Sequence, residues 1–339
     1  MITLRLAGAP LPDNMLAALR RAEVEQELNL PATCVVEVGS VNPSKEDWQG
    51  IDLSLARIGA SMEVSFGEGS TPLFTGEVGE ILADFSTEST VEFRGFDALY
   101  RLQFGTAQAV YEGQSDSGMA IRIARKNQLE PSVDESPVKY PYVLQANQSD
   151  FAFLASRAAR IHYELFVTGN TLHFRRSRAG QSAVMTLQWK EQIIELSVRL
   201  RAVKQGSTVQ AVGWDPKNKR PIVANVNSGP ATLRMGGRET GYQISTELAP
   251  SPVSAMDPEI NDPEGARAVA EAAYVTGLDT FIEAEAVLVG EPRIQPGVNV
   301  QLAGIGSRLS GPYYVTSAKH LYSQDSGYRT ECVLRRTGA

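Results

Sequence analysis

Apolar and polar positions alternate along much of the first hundred residues. Ile2, Leu4 and Leu6 alternate with polar neighbours and predict a first strand. A short polar helical stretch is expected over Asn14 to Arg21, and a polar edge strand over Glu23 to Leu28. Cys34, Val36 and Val38 alternate again, as do Met62, Val64 and Phe66. Further strands are expected over Leu73–Val78 and Val91–Phe96. Many short alternating strands with glycine turns point to a barrel or sandwich.

The pattern changes between Tyr111 and Arg176. Gln-Ser-Asp occurs twice, as Gln114-Ser115-Asp116 and Gln148-Ser149-Asp150. Met119, Ala120, Ile123, Ala124 and Leu129 follow the first at helical spacing, and Phe151, Phe153, Leu154, Ala158 and Ile161 follow the second. Ser and Asp cap helices because a side-chain oxygen accepts from the free N–H groups of the first turn. Tyr163–Val167 and Leu172–Phe174 then form a hairpin turning at Gly169-Asn170. The module reads as helix, crossing, helix, hairpin.

Alternation returns at Val184–Gln188, Ile193–Arg201 and Val209–Asp215, where Gly213-Trp214-Asp215-Pro216 turns the strand away from the core. Trp214 reads as a packed interface or barrel-end anchor rather than a ligand platform. Residues 226–262 are rich in Gly, Pro, Ser and Asn and read as a surface insert. Asp262-Pro263-Glu264 starts an alanine-rich helix, expected over Glu264 to Thr276 and ended by Gly277. The rest is β: Phe281–Val289, then turns at Pro292 and at Pro296-Gly297, and strands through Tyr313-Tyr314 to His320.

The chain has 339 residues, enough for two or three domains. No apolar run approaches the roughly 18 residues needed to cross a bilayer, so membrane insertion is not expected. The N-terminus lacks a basic region followed by an apolar run and does not read as a signal peptide. A net charge of −7 argues against sequence-specific nucleic acid as a partner. Charge is unevenly spread, however. Residues 60–100 carry eight acids and one base, whereas residues 171–220 carry ten bases and three acids. Solvated strand faces account for this; the alternative is that surfaces of opposite sign meet between subunits or stacked rings, fixing register. The basic block lacks the interleaved aromatics of a stacking platform.

Three groups of residues together resemble the hub proteins of contractile tails: phage late-control gene D proteins and the hub part of the type VI secretion protein VgrG. They are Tyr111-x-Gly113-x-Ser115-Asp116 with Gln145-x-Asn147-Gln148-Ser149-Asp150-Phe151; Gly213-Trp214-Asp215 with its lysine-rich turn; and Pro292-Arg293-Ile294-x-Pro296-Gly297 followed by Tyr313-Tyr314-Val315 and His320. Leu73-Phe74-x-Gly76-x-Val78 and the turn at Asp97 add to the likeness, Asp97 being read as a turn or cap residue. The resemblance implies a mainly β fold with a few helices (α+β). It would hold two tail-tube-type β-barrels, discontinuous in sequence: 1–105 plus 185–225, and 106–184 plus 277–339, with 226–276 as a helical and loop insert. It also implies a homotrimer whose six barrels form a pseudo-sixfold ring joining a hexameric inner tube to a trimeric spike. Tube, spike and baseplate wedge proteins are then the expected partners, with a tape-measure or cargo in the lumen. Assembly is expected in the bacterial cytoplasm, and the final place in the baseplate of a phage tail, pyocin-like particle or other injection system. Because the chain stops at Ala339 without a spike domain, the spike is expected to be a separate protein.

Candidate chemistry is sparse. No GxSxG, HExxH or P-loop occurs, and Gly304-Ile305-Gly306 lacks the third glycine of a dinucleotide loop. Cys34 and Cys332 read as two buried thiols. His162 and His173 flank the hairpin and could be neighbours, but two histidines do not close a zinc site. His320 could meet Asp325 and a serine, or simply make a strand-end hydrogen bond. Glu283 and Glu285 share a strand face, yet a glycosidase pair needs roughly 5–9 Å across a sugar cleft. No catalytic, cofactor-binding or metal residue is expected. The rival classes are a cell-wall-acting hydrolase of a tail, marked by a cleft holding carboxylates of raised pKa, and a monomeric β-sandwich binding module.

Overall fold

The computed structural model describes residues 2–39, 57–67, 71–86, 89–257 and 259–339. Alternation in the first hundred residues produces β1 (Ile2–Leu6), β2 (Ala9–Pro10), β3 (Leu19–Glu27), β4 (Thr33–Gly39), β5 (Ser61–Phe66), β6 (Phe74–Asp84) and β7 (Thr90–Phe96). They pair in the order β2-β1-β5-β6-β7-β4-β3, antiparallel throughout. Leu4 on β1 and Val24 on β3, at opposite ends of that run, reach the same core as Cys34, Val64, Val78 and Phe93. The sheet therefore curls around one apolar interior.

Two expectations shift here. The helix before β3 is α1 (Asp13–Ala17), and the chain is already a strand at Leu19: Ala22 and Val24 are buried at period two, and Leu19 reaches the same face across an irregularity between Leu19 and Arg21. β3 is not an edge strand; it pairs with β4 on one side and β20 (Gly311–Ser323) on the other. Its glutamates tolerate that central place because a cation answers across the sheet: Lys319 Nζ lies 2.8 Å from Glu23 Oε1.

The middle of the chain forms a separate core. It contains α2 (Ala98–Arg101), β8 (Ala107–Ser115), α3 (Asp116–Lys126), β9 (Glu130–Val133), β10 (Lys139–Gln148), α4 (Asp150–Arg160), β11 (Tyr163–Thr168) and β12 (Thr171–Arg176). Ser115 and Ser149 cap α3 and α4 by accepting from Gly118 N and Ala152 N. Each helix follows a strand, and those strands, β8 and β10, pair antiparallel. The crossing in the sequence reading is thus β9 and β10. Met119, Ile123, Leu154, Leu165 and Phe174 fill the interior.

The remainder builds β13 (Met185–Gln188), β14 (Ile193–Leu200), β15 (Thr208–Asp215), β16 (Arg220–Val226), α5 (Gly241–Ser245), β17 (Pro252–Met256), α6 (Pro263–Leu278), β18 (Ile282–Val289), β19 (Asn299–Ala303), β20 and β21 (Gly327–Arg336). The expected grouping put 185–225 with 1–105. In the structure β13 pairs with β19 and β14 with β18, in the run β13-β19-β20-β21-β18-β14. Period-two patterning identifies a strand and its buried face but not its partner. Leu187, Leu288, Val300, Val315 and Leu334 share this third core. β15 lies between β16 and β17 in a small sheet whose inner residues, Val209 and Ala211, pack in the same core as Ala266, Ala270 and Tyr274 of α6.

Leu187 of β13 and Ile193 of β14, at opposite ends of the run β13-β19-β20-β21-β18-β14, lie in this one third core, so the second sheet curls as well, and one strand joins it to the first. The start of β20, Gly311 to Tyr314, pairs with β19, and its end, Ser317 to Ser323, pairs with β3. β21 follows β20 along its length, and Tyr322 and Tyr328 at the tip of this hairpin pack on the first core.

Candidate functional site

The two Gln-Ser-Asp segments converge. Asp116 and Asp150 are the first residues of α3 and α4, and both are buried. Asp116 Oδ1 accepts from Arg157 Nε at 2.5 Å, and its Oδ2 accepts from Tyr140 Oη at 2.9 Å. Arg157 also bonds Glu259, while Arg160 Nε donates to Asp257 Oδ2 at 2.5 Å and Arg160 Nη1 to Tyr140 Oη at 2.6 Å. Burial works against the Arg157 charge, but Asp116 and Glu259 outweigh it and raise its pKa. Asp150 accepts from Lys126 Nζ at 2.9 Å, from Asn127 Nδ2 at 2.9 Å and from Gln145 Nε2 at 3.0 Å. Burial opposes its charge, yet the donors Gln145, Asn127 and Lys126 hold its carboxyl below the usual range. Gln148 supplies its backbone carbonyl to Gln145, and Phe151 N donates to Leu102 O. In this cluster both buried carboxylates meet a cation, so the arrangement is a cross-link between α3, α4 and the loop before α6.

Arg157, Arg160, Tyr140, Asp257 and Glu259 were not singled out from the sequence. Arg157 and Arg160 are three apart on a helix otherwise apolar on that side, which marks a charged pair turned inward.

Gly213, Trp214 and Asp215 lie at the end of β15. A Cβ at Gly213 would collide with the Ile260 side chain and carbonyl. Asp215 Oδ1 accepts from the N–H groups of Lys217 and Asn218, both at 3.0 Å, and so builds the turn to β16. Trp214 donates its backbone N–H to Ile260 O at 3.1 Å and keeps its indole on the outer face.

The C-terminal residues hold the third core to the middle one. Gly297 has φ +86°, and its N–H donates to Val315 O at 2.9 Å. Its neighbour Pro296 stands just before this turn, and Arg175 Nη2 donates to Gly297 O at 3.2 Å. Tyr314 Oη donates to the buried carboxylate of Glu164 at 2.5 Å, which also accepts from Arg175 Nε at 3.1 Å. Tyr313 is buried and bonds Leu309 O at 2.8 Å. His320 sits inside β20, its Nε2 2.9 Å from Ile294 O and its Nδ1 2.8 Å from Tyr328 Oη. Burial lowers its pKa to about 4, so it is neutral near pH 7 and ties the Ile294–Gly297 turn to the hairpin.

The other candidates separate. His162 Nε2 lies 2.8 Å from Asp279 Oδ2, which Arg335 Nη1 also meets at 2.7 Å, whereas His173 stacks on Phe166 with centroids 4.6 Å apart. Glu283 pairs with Arg201, while Glu285 stands opposite Ser197 and Val333. Cys34 and Cys332 are buried free thiols. A cleft of about 580 Å³ lies between the middle module and the third core, lined by Ser136, His162, Arg267, Glu271, Asp279 and Arg335. Its acids face cations: Glu271 meets Arg267 at 2.8 Å, and Asp279 is shared as described. Among the described residues no group of three or more His, Cys, Asp and Glu could hold a metal ion, and no helix is long and apolar enough to cross a membrane.

No curated protein matches the chain. Solved structures do share its fold along nearly its whole length. The prophage MuSo2 43 kDa tail protein from Shewanella oneidensis is 13% identical, with a TM-score of 0.74 over 99% of this chain and 98% of that one. A tail protein from Neisseria meningitidis is 13% identical, with a TM-score of 0.72 over 99% and 96%. The Escherichia coli c3393 protein, described as a component of the type VI secretion system, is 11% identical, with a TM-score of 0.61 over 99% and 77%. At these identities the likeness establishes the mainly β fold, while sequence kinship comes from a family model whose description names neither a tail nor a hub. That model, the Alg8 N-terminal domain, matches residues 1–324, and the chain belongs to the Alg8 N-terminal domain family.

Proposed function

We propose that the chain is a structural baseplate hub of a contractile tail or injection particle. The observation that carries this reading is that one chain holds two curled sheets on separate cores, fused through the β20–β21 hairpin. A threefold assembly can match a sixfold tube only if each subunit supplies two similar units. Three copies of this chain would supply six, while threefold symmetry remains to seat a trimeric spike. One ring unit would be residues 2–96, the other 185–200 with 282–336, and the module at 97–176 would brace them. Full-length fold likeness to a prophage tail protein and to a second bacterial tail protein supports the same reading.

The mechanism is mechanical. The hub seeds polymerisation of the inner tube, seats the spike and moves outward with both when the sheath contracts. Its partners are two further copies of itself, the tube or tube-initiator protein, the spike and the baseplate wedge, with a tape-measure or cargo segment in the lumen. The chain is made in the bacterial cytoplasm and ends in the particle's baseplate. Its buried ion pairs act as cross-links in this role rather than as acid and base.

Light scattering on the purified chain, alone and with its particle's spike protein, tests the proposal. A mass of three times 36.7 kDa, or a 3:3 complex formed on adding the spike, is the expected result. A chain that stays monomeric and ignores the spike would overturn it.

A further inference from the structure

The small sheet β16-β15-β17 buries one face on the third core and leaves the other bare. On the bare face Val212 stands between its cross-strand partners Val223 and Met256, and Trp214 stands beside Pro221 in the next row. Met256 is 82% exposed, Trp214 53% and Val223 49%. Single exposed apolar residues are ordinary, but two adjoining rows on a sheet that already has a buried face are not. One flank is the polar row Asn225–Gln210–Ser254. The other is the β15–β16 turn, where Lys217 and Lys219 make no ion pair among the described residues and Asp215 is consumed by the turn. The face is apolar at its centre and positive at one rim. What covers it must be apolar and negative.

This chain carries such a surface. β6 loses its β5 partner after Glu77, and its continuation pairs only with β7 among the described residues. There Leu82, 54% exposed, stands outward between Glu80 and Asp84. Arg94 answers Glu80 at 3.2 Å, whereas Asp84 makes no ion pair among the described residues. We infer that the end of β6 in one copy docks on the outer face of β16-β15-β17 in the next, with Leu82 against the Trp214 row and Asp84 toward Lys217 and Lys219. The two surfaces are different, so the contact is head-to-tail and closes into a ring when the rotation between copies allows it. This inference rests on the ring proposed above and names its interface.

The test uses the full chain with Trp214→Glu, Leu82→Glu, and an equimolar mixture of the two, weighed by light scattering with and without the spike protein. Both positions are exposed, so folding is expected to survive, and circular dichroism checks it. Each variant alone is expected to lose the trimer, with association weakened about tenfold or more. The mixture is expected to give a 1:1 dimer and nothing larger, because each partner keeps one intact surface. A second pair carries the charge argument: Asp84→Lys and Lys217→Glu/Lys219→Glu each weaken association, and all three together in one chain restore it. If the wild type is trimeric and both glutamate variants stay trimeric, this interface is wrong and the hub reading stands. Loss of spike binding by Trp214→Glu with the trimer intact assigns the face to the spike and also overturns the inference. A wild type that is monomeric with and without the spike removes both proposals.

Discussion

Asp116, the first residue of α3, accepts a 2.5 Å hydrogen bond from Nε of Arg157, in the last turn of α4. Asp150, the first residue of α4, accepts in turn from Lys126 at the end of α3. Start meets end twice, so the two helices run antiparallel and each dipole is complemented at both termini. The halves differ in depth. The Asp116 and Arg157 side chains are 1% and 4% exposed, whereas Lys126 is 58% exposed. Asp116→Ala leaves a buried guanidinium short of a partner and is expected to cost about 3–5 kcal/mol. Asp150→Ala frees Lys126 into water and is expected to cost about 1–2 kcal/mol, mostly from the hydrogen bonds of Gln145 and Asn127. Replacing Asp116 and Arg157 together by leucine is expected to recover part of the larger loss. Urea melts of the three variants against wild type measure this, and equal losses at the two aspartates would refute the depth argument.

Gly277 supplies a prediction whose sign reverses the usual rule. Glycine to alanine inside a helix normally gains about 1 kcal/mol. Here α6 continues through Gly277 to Leu278, past the expected stop, because a bare backbone is needed rather than a helix end. A Cβ at this position would run into Tyr242 Oη and lie 2.7 Å from Gln205 O. Tyr242 Oη is itself fixed, 2.9 Å from Tyr274 O and 3.1 Å from Gln205 O. Gly277→Ala is therefore expected to lower stability by about 1–3 kcal/mol, the range for overpacking. A thermal melt decides it, and a raised midpoint would show that the contact relaxes freely.

The same residue marks the limit of what sequence alone conveys. Caps are local, so Ser115, Ser149 and Asp262 were legible: each side chain bonds an N–H three residues on. Alternation was equally legible, since burial follows it from Thr33 to Val38 on β4 and throughout β18. Partners were not. Glu164 meets Tyr314 across 150 residues, and Arg157 meets Glu259 across 102. Nothing in the spacing of β14 pointed to β18 rather than to the first sheet. Ile260 leaves no room for a Cβ at Gly213 and Gly297 has φ +86°, but a glycine in the sequence does not say whether a turn, a helix end or a close neighbour requires it. Ser115, Asp116, Asp150 and Trp214 all lie in motifs that carry the resemblance. In the structure the aspartates are a cross-link and the tryptophan is a bare face, two different roles for residues that look alike as motif positions.

Asp97 links the first core to the middle module through both carboxylate oxygens. Its Oδ1 accepts from Leu99 N at 2.9 Å, capping α2, and its Oδ2 accepts from Ala32 N at 3.0 Å. Asparagine has one acceptor oxygen, so Asp97→Asn must turn an NH₂ group toward one of these N–H donors. The variant is expected to lose about 1–3 kcal/mol at pH 7, although it removes a buried charge. Chemical denaturation at pH 7 measures it, and an unchanged or raised midpoint would mean that one of the two bonds carries no weight.

Asp97 and His320 also give opposite pH dependences. Burial pushes the Asp97 carboxyl up to about 7 from 3.8, against the backbone donors of Ala32, Leu99 and Tyr100. An acid whose folded pKa is raised favours the fold when protonated, so its contribution falls as pH rises from 3.8 to about 7. Burial lowers His320 to about 4 from 6.5. A base whose folded pKa is depressed favours the fold when neutral, so its contribution is full above 6.5 and falls as pH drops toward 4. At 1.36 kcal/mol per pH unit the two spans are on the order of 4 and 3 kcal/mol and nearly cancel in the wild type. Single variants separate them. The stability difference between wild type and His320→Gln is expected to shrink by about 3 kcal/mol between pH 6.5 and pH 4. The difference between wild type and Asp97→Asn is expected to grow over much the same window. Urea titrations at half-unit pH steps read both. A difference for His320 that stays flat through this window would mean that the ring takes up a proton without leaving its place between Ile294 and Tyr328, and the turn at Gly297 would then owe nothing to a neutral imidazole.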